Sequence, residues 1–345
     1  SSQAPVSSIE LAQAASFIAR TQRPDGEIPW CTGEKTDPWD HVESAMGLSV
    51  GGYLAESRRA FEWLADRQLE DGSWYTAYRN GAAEDKTRDA NLSCYIAVGI
   101  FHYYLITEDK AFLLKMWPTL SKAIEFALSL QTPKGEIYWA ISPEGHVDRM
   151  ALLTGSSSIY MSIKCAVAIG KILGFFMPLW EIALNQLAEA IQHKPYLFNM
   201  TKSRYSMDWY YPILCGVITG SDAQKRLDKY WKKFVVEDRG VRCVSDKPWV
   251  TIAETSELIL ALAGMGNHEL AGIVFNWICD RRYTDGSYWC GFTCPDLIIW
   301  PEDKITWTNA VALMAADALY NLTPASVLFS HQFWATSELS PLVDS

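Results

Sequence analysis

Several things are scarce in this sequence of 345 residues. It has no basic block or stripe, and acids outnumber bases 40 to 30. That argues against a nucleic-acid backbone as partner and against charge-driven docking on an anionic membrane. Every long apolar run is broken before about 18 positions, so no transmembrane span is expected. The first seven residues, Ser-Ser-Gln-Ala-Pro-Val-Ser, hold neither a basic region nor an apolar core, and no signal peptide is read there. Eight cysteines are scattered without a CxxC pair, the closest being Cys290 and Cys294. In a chain of this length that pattern suits reduced, half-buried thiols and a cytoplasmic protein. The six histidines, at 41, 102, 146, 193, 268 and 331, form no ligand spacing, so neither a metal nor another cofactor is expected. Gly-x-Ser-x-Gly and the phosphate-binding Gly-Lys-Ser/Thr are also missing.

What is plentiful is aromatic: 15 Trp, 16 Tyr and 13 Phe. Large rings fill cores, stack on sugars or stabilise cations, and composition does not choose among these. Apolar spacing of three and four predicts twelve helices, near 8–21, 38–55, 57–69, 88–106, 109–130, 155–174, 176–194, 207–219, 222–235, 251–265, 267–282 and 305–321. Strand patterns are few. Short joints such as Gly51-Gly52, Thr107-Glu108-Asp109 and Gly264-Met265-Gly266 make antiparallel hairpins. Gly47 and Gly51 share one helix and are read as a close-packing face.

The longer joints carry a repeat. Gln22…Gly26…Trp30, Gln68…Gly72-Ser73-Trp74 and Gln131…Gly135…Trp139 each follow a helix, and Arg282…Gly286…Trp289 repeats the pattern with Arg for Gln. Repeats of this size mean a solenoid or a closed ring of hairpins. Gln68-x3-Gly72-x-Trp74 resembles the QW repeat of triterpene cyclases. The helix-pair pattern over nearly the whole chain resembles the (α/α)6 toroid shared by terpenoid cyclases, protein prenyltransferase β-subunits and many glycoside hydrolases. The resemblance implies an all-α (α/α)6 barrel over 1–321, and the polar stretch 322–345, with Phe329, Phe333 and Trp334, is expected as a C-terminal tail on its outside or over its mouth. It implies little about chemistry, since the repeat ties outer helices together in that family.

In such a ring the inner helices are covered on both faces and should be apolar nearly all round. The segments 38–55, 88–106, 155–174, 207–219, 251–265 and 305–321 fit. Each aromatic joint then enters the N-terminus of an inner helix, and six N-termini converge on one end. Asp40, Glu43, Asp89, Asp208 and Glu254 lie at those starts, beside Trp39, Trp209, Trp249 and Trp307.

A structural alternative stands beside each acid. Asp37-Pro38 is a helix start, with Asp40 three residues on. Thr251-Ile-Ala-Glu254 is written as a capping box, and first-turn acids suit the helix dipole. Asp208 is harder to explain as a cap, because it stands between Met207 and the Trp209-Tyr210-Tyr211 run. Glu43 shares the helical face of Asp40. His41 lies one residue off that face, as a hydrogen-bonded core residue or a substrate contact.

In a six-pair ring the first inner helix faces the fourth and the second faces the fifth. Asp40 and Glu43 would face Asp208, and Asp89 would face Glu254. Paired carboxylates across a cleft serve glycoside hydrolysis, one giving a proton to the leaving oxygen and one activating water or attacking directly, with about 6.5–9.5 Å between them in an inverting enzyme. Asp40, Glu43, Asp208 and Glu254 are the candidate catalytic residues. Trp39, Trp209, Tyr210 and Trp307 are candidate sugar platforms, with His41, Asp89, Arg88, Arg149 and Arg204 as further substrate contacts.

The expected function is a glycoside hydrolase acting on an oligosaccharide or other small substrate. The alternative is an isoprenoid enzyme. The resemblance would then require Asp-x-Asp-Asp or Asp-Asp-x-x-Asp of the cyclases, or the Asp-x-Cys zinc ligands of prenyltransferases, and none occurs. A third reading, a saccharide- or partner-binding toroid whose acids are only caps, makes no enzyme at all.

Overall fold

The computed structural model describes residues 8–341. The segment read for a signal peptide and the last four residues of the tail lie outside the described residues.

The chain opens with helix α1 (Ser8–Thr21) and continues as α2 (Pro38–Val50) and α3 (Leu54–Arg67). Strands β1 (Tyr75–Arg79) and β2 (Ala82–Asp89) precede α4 (Ala90–Cys94), α5 (Ile96–Thr107) and α6 (Lys110–Leu128). Strands β3 (Ala140–Ile141) and β4 (Val147–Asp148) precede α7 (Leu153–Leu173) and α8 (Pro178–His193). Helices α9 (Ser206–Leu214) and α10 (Gly220–Phe234) lead to β5 (Val235–Val236), β6 (Gly240–Arg242) and β7 (Trp249–Thr251). Then come α11 (Ile252–Gly264), α12 (His268–Ile278), β8 (Gly291–Thr293), α13 (Thr306–Tyr320) and α14 (His331–Thr336).

All twelve expected helices are present. The inner ring runs α2, α4–α5, α7, α9, α11 and α13, with α13 packed back on α2. The sixth hairpin joins the two ends of the barrel, α13 against α1. The inner helices are covered all round as their sequences require; every residue of α11 is buried. Close approach needs small residues, and a Cβ on Gly47 would stand 2.8 Å from the Cα of Ala310 on α13.

The repeated turns lock the outer ring. Gln22 donates through Nε2 to the carbonyls of Gly26, 3.0 Å, and of Glu56 on the next outer helix, 2.9 Å. Gln68 does the same to Gly72 and Thr119, and Gln131 to Gly135 and Ala183. Arg282 instead pairs with Glu10 at 2.7 Å, which closes the ring onto α1. Each turn glycine lies against the next helix: at Gly72, φ is +93° and a Cβ would fall 2.1 Å from the Lys122 carbonyl.

Two four-stranded antiparallel sheets, β1–β4 and β5–β8, were not read from the sequence. Most of their strands are two or three residues long, too short to show a period of two. β2 is polar and mostly exposed, so it has no alternating face. It also shortens the expected helix 88–106, because the chain stays extended to Asp89. The strands feed the inner-helix N-termini: β2 ends at Asp89, which caps α4, and β7 ends at Thr251, the residue before α11.

The tail closes the opposite end, under the inner-helix C-termini. Trp334 lies 5.6 Å from Phe101 and receives the Lys164 ammonium over its ring at 4.6 Å. His331 Nε2 lies 2.6 Å from the Ile213 carbonyl. The stretch 90–107 is long and apolar enough for a membrane span, but it is an inner helix and 67% of it is buried in the barrel.

Candidate active site

Six inner-helix N-termini and the two sheets surround one cleft. It consists of two adjoining hollows of about 350 and 470 Å³ that share Asp89, Asn91, Leu92, Trp139, Thr154 and Met207. Glu254 and Asp208 line the first, and Asp37 and Asp40 line the second. Trp30, Trp39, Tyr211 and Trp307 give the second hollow its rings.

Asp37 caps α2. Its Oδ1 accepts the Asp40 amide at 2.8 Å and its Oδ2 accepts Trp30 Nε1 at 2.6 Å. That fixes the start of the helix, and Asp40 turns one face of the first turn to the cleft. Burial pushes the Asp40 carboxyl well above the usual carboxylate range, and Asp37, Glu43 and Glu257 push it further. No cation pairs with Asp37, Asp40, Glu43 or Glu257 among the described ion pairs. Asp89 caps α4, accepting the Leu92 amide at 2.9 Å, and burial raises its pKa to about 7.

Glu254 does not form the capping box its spacing suggests. Thr251 makes no cap hydrogen bond to the backbone. Its hydroxyl donates to Glu254 Oε2, and the Cys243 thiol donates to Oε1 at 3.4 Å. The carboxylate lines the cleft. Burial raises its pKa, opposed first by the Thr251 hydroxyl. Asp208 is held by the Thr154 hydroxyl at 2.5 Å, and burial raises it also.

The expected site residues separate into groups. Asp40, Asp89, Asp208, Glu254, Trp39 and Trp307 line the cleft. Glu43 does not; it is 2% exposed beneath the floor. Trp209 and Tyr210 point away from the cleft, because consecutive residues on a helix lie about 100° apart and only Tyr211 of that run meets it. Trp209 stacks on Phe234 at 5.3 Å on the outer side, and the Tyr210 hydroxyl reaches Glu257 at 2.5 Å.

His41 is a core residue. It accepts the Ile28 amide at Nδ1 and meets the Ala60 carbonyl at 2.8 Å through Nε2, with its pKa lowered by burial to about 4. The three arginines lie off the cleft. Arg88 pairs with Asp71, Arg149 is exposed, and Arg204 lies over the Tyr205 ring at 5.1 Å. Their place in sequence beside the helix starts did not fix the direction of long side chains on extended segments.

Sequence reasoning passed over Asp37 as more than a cap, and over Glu257, Cys243, Trp139 and Tyr211. Glu257 had a signal: an acid one turn after Glu254 in an otherwise apolar helix.

No family model matches the chain. It is 47% identical over 317 residues to the MMP endo-(1,4)-3-O-methyl-α-D-mannosidase of Mycolicibacterium hassiacum, covering 92% of this chain and 88% of that protein. Its fold is similar to that of a glycosidase solved as the wild type, with TM-score 0.66 at 17% identity over 91% of this chain and 97% of that one. It is also similar to the GH63 mannosylglycerate hydrolase from Thermus thermophilus solved with glucose, with TM-score 0.68 at 10% identity over 88% and 99%. Those two likenesses establish the (α/α)6 toroid. The Gln-x3-Gly-x-Trp turn that resembled isoprenoid enzymes serves the scaffold here. Through 47% identity over most of both chains, the protein belongs to the family of that endo-mannosidase and is a glycoside hydrolase.

Proposed function

We propose that the protein is an endo-hydrolase of α-(1→4)-linked 3-O-methyl-D-mannose chains, with Asp40 as the general acid and Glu254 as the second carboxylate. The relative's activity suggests the substrate. The cleft lining supports it: beside Glu254 the wall carries Leu92, Ile137, Leu152, Ile159 and Met207. An O-methyl group replaces a hydroxyl with apolar surface, which such a wall receives without an unpaired polar group.

The observation that carries the assignment is the setting of Asp40, a cleft carboxyl faced by three other carboxyls and by no ion-paired cation. A general acid must hold its proton at neutral pH, and burial does that first, with like-charge crowding adding to it. Glu254 has the Thr251 hydroxyl, its own amide and the Cys243 thiol to stabilise its ionised form. In the reaction, Asp40 gives its proton to the glycosidic oxygen as the C1–O bond breaks. Glu254 then either takes a proton from the attacking water or bonds to C1 itself. The anomer released first, read by proton NMR, separates these two. Asp208, held by Thr154, fits the binding of a sugar hydroxyl. Eight unpaired thiols support the cytoplasmic compartment.

The test is reducing-end release from a 3-O-methyl-mannose oligosaccharide and from its unmethylated counterpart. Asp40→Asn and Glu254→Gln should each lower kcat by about 10²–10⁴, with Asp208→Asn acting mainly on KM. An Asp40→Asn enzyme that keeps wild-type kcat overturns the assignment. Equal turnover of both substrates overturns the reading of the apolar wall.

A further inference from the structure

Beneath the cleft floor lies a second layer of carboxyl groups that bond making and breaking does not use. Glu43 follows Asp40 by three residues on α2, and Glu257 follows Glu254 by three on α11. An interval of three keeps each pair on one helical face, so the deeper member lies about one turn below the cleft member. Glu43 is 2% exposed and Glu257 1%.

The Cys215 thiol faces both acids, and the Cys243 thiol faces Glu257. Glu257 accepts the Tyr210 hydroxyl at 2.5 Å and the Tyr211 hydroxyl at 2.9 Å. Glu254 on its own helix raises it, burial raises it most, and its pKa stands at about 8. Glu43 is faced by Tyr95 at the junction of α4 and α5, by Trp307 of α13 and by Glu257 of α11, and its Oε2 has no hydrogen-bond partner. The Lys164 ammonium donates to the Cys215 carbonyl at 3.2 Å and lies over the Trp334 and Tyr160 rings, and it makes no described ion pair with either acid. Asp40 itself is faced by Asp37, Glu43 and Glu257, with Lys35, Asp85 and Asp89 lining the same hollow.

We propose that Glu43 and Glu257 are positioning residues that keep the catalytic proton on Asp40. Buried carboxyls this close, without a cation, cannot all ionise together. Each negative charge that the lower layer takes on with rising pH makes the Asp40 anion harder to form. The cleft acid therefore keeps its proton while Glu254, supplied with hydrogen-bond donors, loses its own. The two tyrosines set the balance, because their hydroxyls favour the charged form of Glu257.

This inference rests on Asp40 being the acid, and two readouts separate the failures. The first is the pH profile of kcat/KM on a 3-O-methyl-mannose oligosaccharide. In Glu257→Gln the lower charge is gone, and the alkaline limb should move to lower pH by about one unit. Tyr210→Phe, a milder change for a buried site, removes a donor from Glu257. It keeps Glu257 protonated longer and should move the limb in the same direction by less. The acid limb should stay in place in Tyr210→Phe.

The second readout needs no turnover. It is the infrared C=O band of a protonated carboxyl, assigned to Asp40 by its loss in Asp40→Asn. That band should titrate at lower pH in Tyr210→Phe and in Glu257→Gln. If Asp40→Asn is active but the band still shifts, the acid assignment fails and the coupling stands. If Asp40→Asn is inactive and neither the limb nor the band moves in Tyr210→Phe or Glu257→Gln, the positioning role is wrong.

Discussion

The thiol of Cys243, on the cleft wall after β6, donates to Oε1 of Glu254 at 3.4 Å. Burial, and then Glu254 itself, hold that thiol well above the usual cysteine range, so it stays protonated and acts as a donor. Removing it takes one donor from the carboxylate. Cys243→Ala should therefore raise the Glu254 pKa and move the acid limb of kcat/KM to higher pH, by less than about one unit. Cys243→Ser should restore part of the difference. An acid limb that is the same in all three enzymes would make the thiol mere packing.

His41 contributes stability with a definite pH signature. Its folded pKa, about 4, lies below the ordinary 6.5. The unfolded chain binds the extra proton between those values, so the contribution of neutral His41 is present above pH 6.5 and is lost as pH falls toward 4. Its size is roughly 3 kcal/mol. His102, lowered to about 3, acts in the same direction, whereas the raised carboxyl of Asp89 acts in the opposite one. A comparison isolates His41: the gap in Tm between wild type and His41→Gln should narrow steadily from pH 7 to pH 4. A gap that does not change with pH contradicts the assignment.

The Gln turns are scaffold and should behave as scaffold. Gln68→Ala removes two side-chain hydrogen bonds to backbone carbonyls, one of them on the next outer helix. It should cost about 1–3 kcal/mol in denaturant unfolding. The kcat/KM of the folded fraction should not change. A large loss of kcat with unaltered stability would show that the turn reaches the cleft.

Leu152 tests how the cleft reads its substrate. It lies on the apolar wall of the hollow that holds Glu254. Leu152→Ala should weaken discrimination between methylated and unmethylated oligosaccharides by about tenfold or less, the usual worth of one or two methyl contacts. Competition between the two substrates measures the ratio directly. An unchanged ratio moves methyl recognition to another part of the wall.

The architecture was legible because it rests on local patterns repeated many times. The twelve helices follow from apolar spacing, and the ring follows from covered inner helices alternating with charged outer ones. The Gln-x3-Gly turn was visible three times and once more with Arg for Gln, and its bonds to the neighbouring helix repeat three times with Gln and once as an Arg–Glu pair. The convergence of six inner N-termini then placed the acids at one end, where Asp40, Asp89, Asp208 and Glu254 do meet in one cleft.

Direction was not legible. Trp209, Tyr210 and Tyr211 are adjacent in sequence and face an outer helix, a buried acid and the cleft respectively. Thr251 and Glu254 have the spacing of a capping box, yet their side chains bond each other beside the cleft. The two sheets escaped notice because their strands form by pairing between distant segments, as where Trp249 of β7 pairs with Thr293 of β8.

The sequence alone therefore determined the helices, the order of the ring and the end at which acids gather, since each depends on periodicity within a short stretch of chain. Only the tertiary structure decided which carboxyls share a field. Asp40 and Glu43 share α2, but Glu257 comes from α11, more than two hundred residues on, and its repulsion of them exists only after the barrel has closed and excluded water from between them.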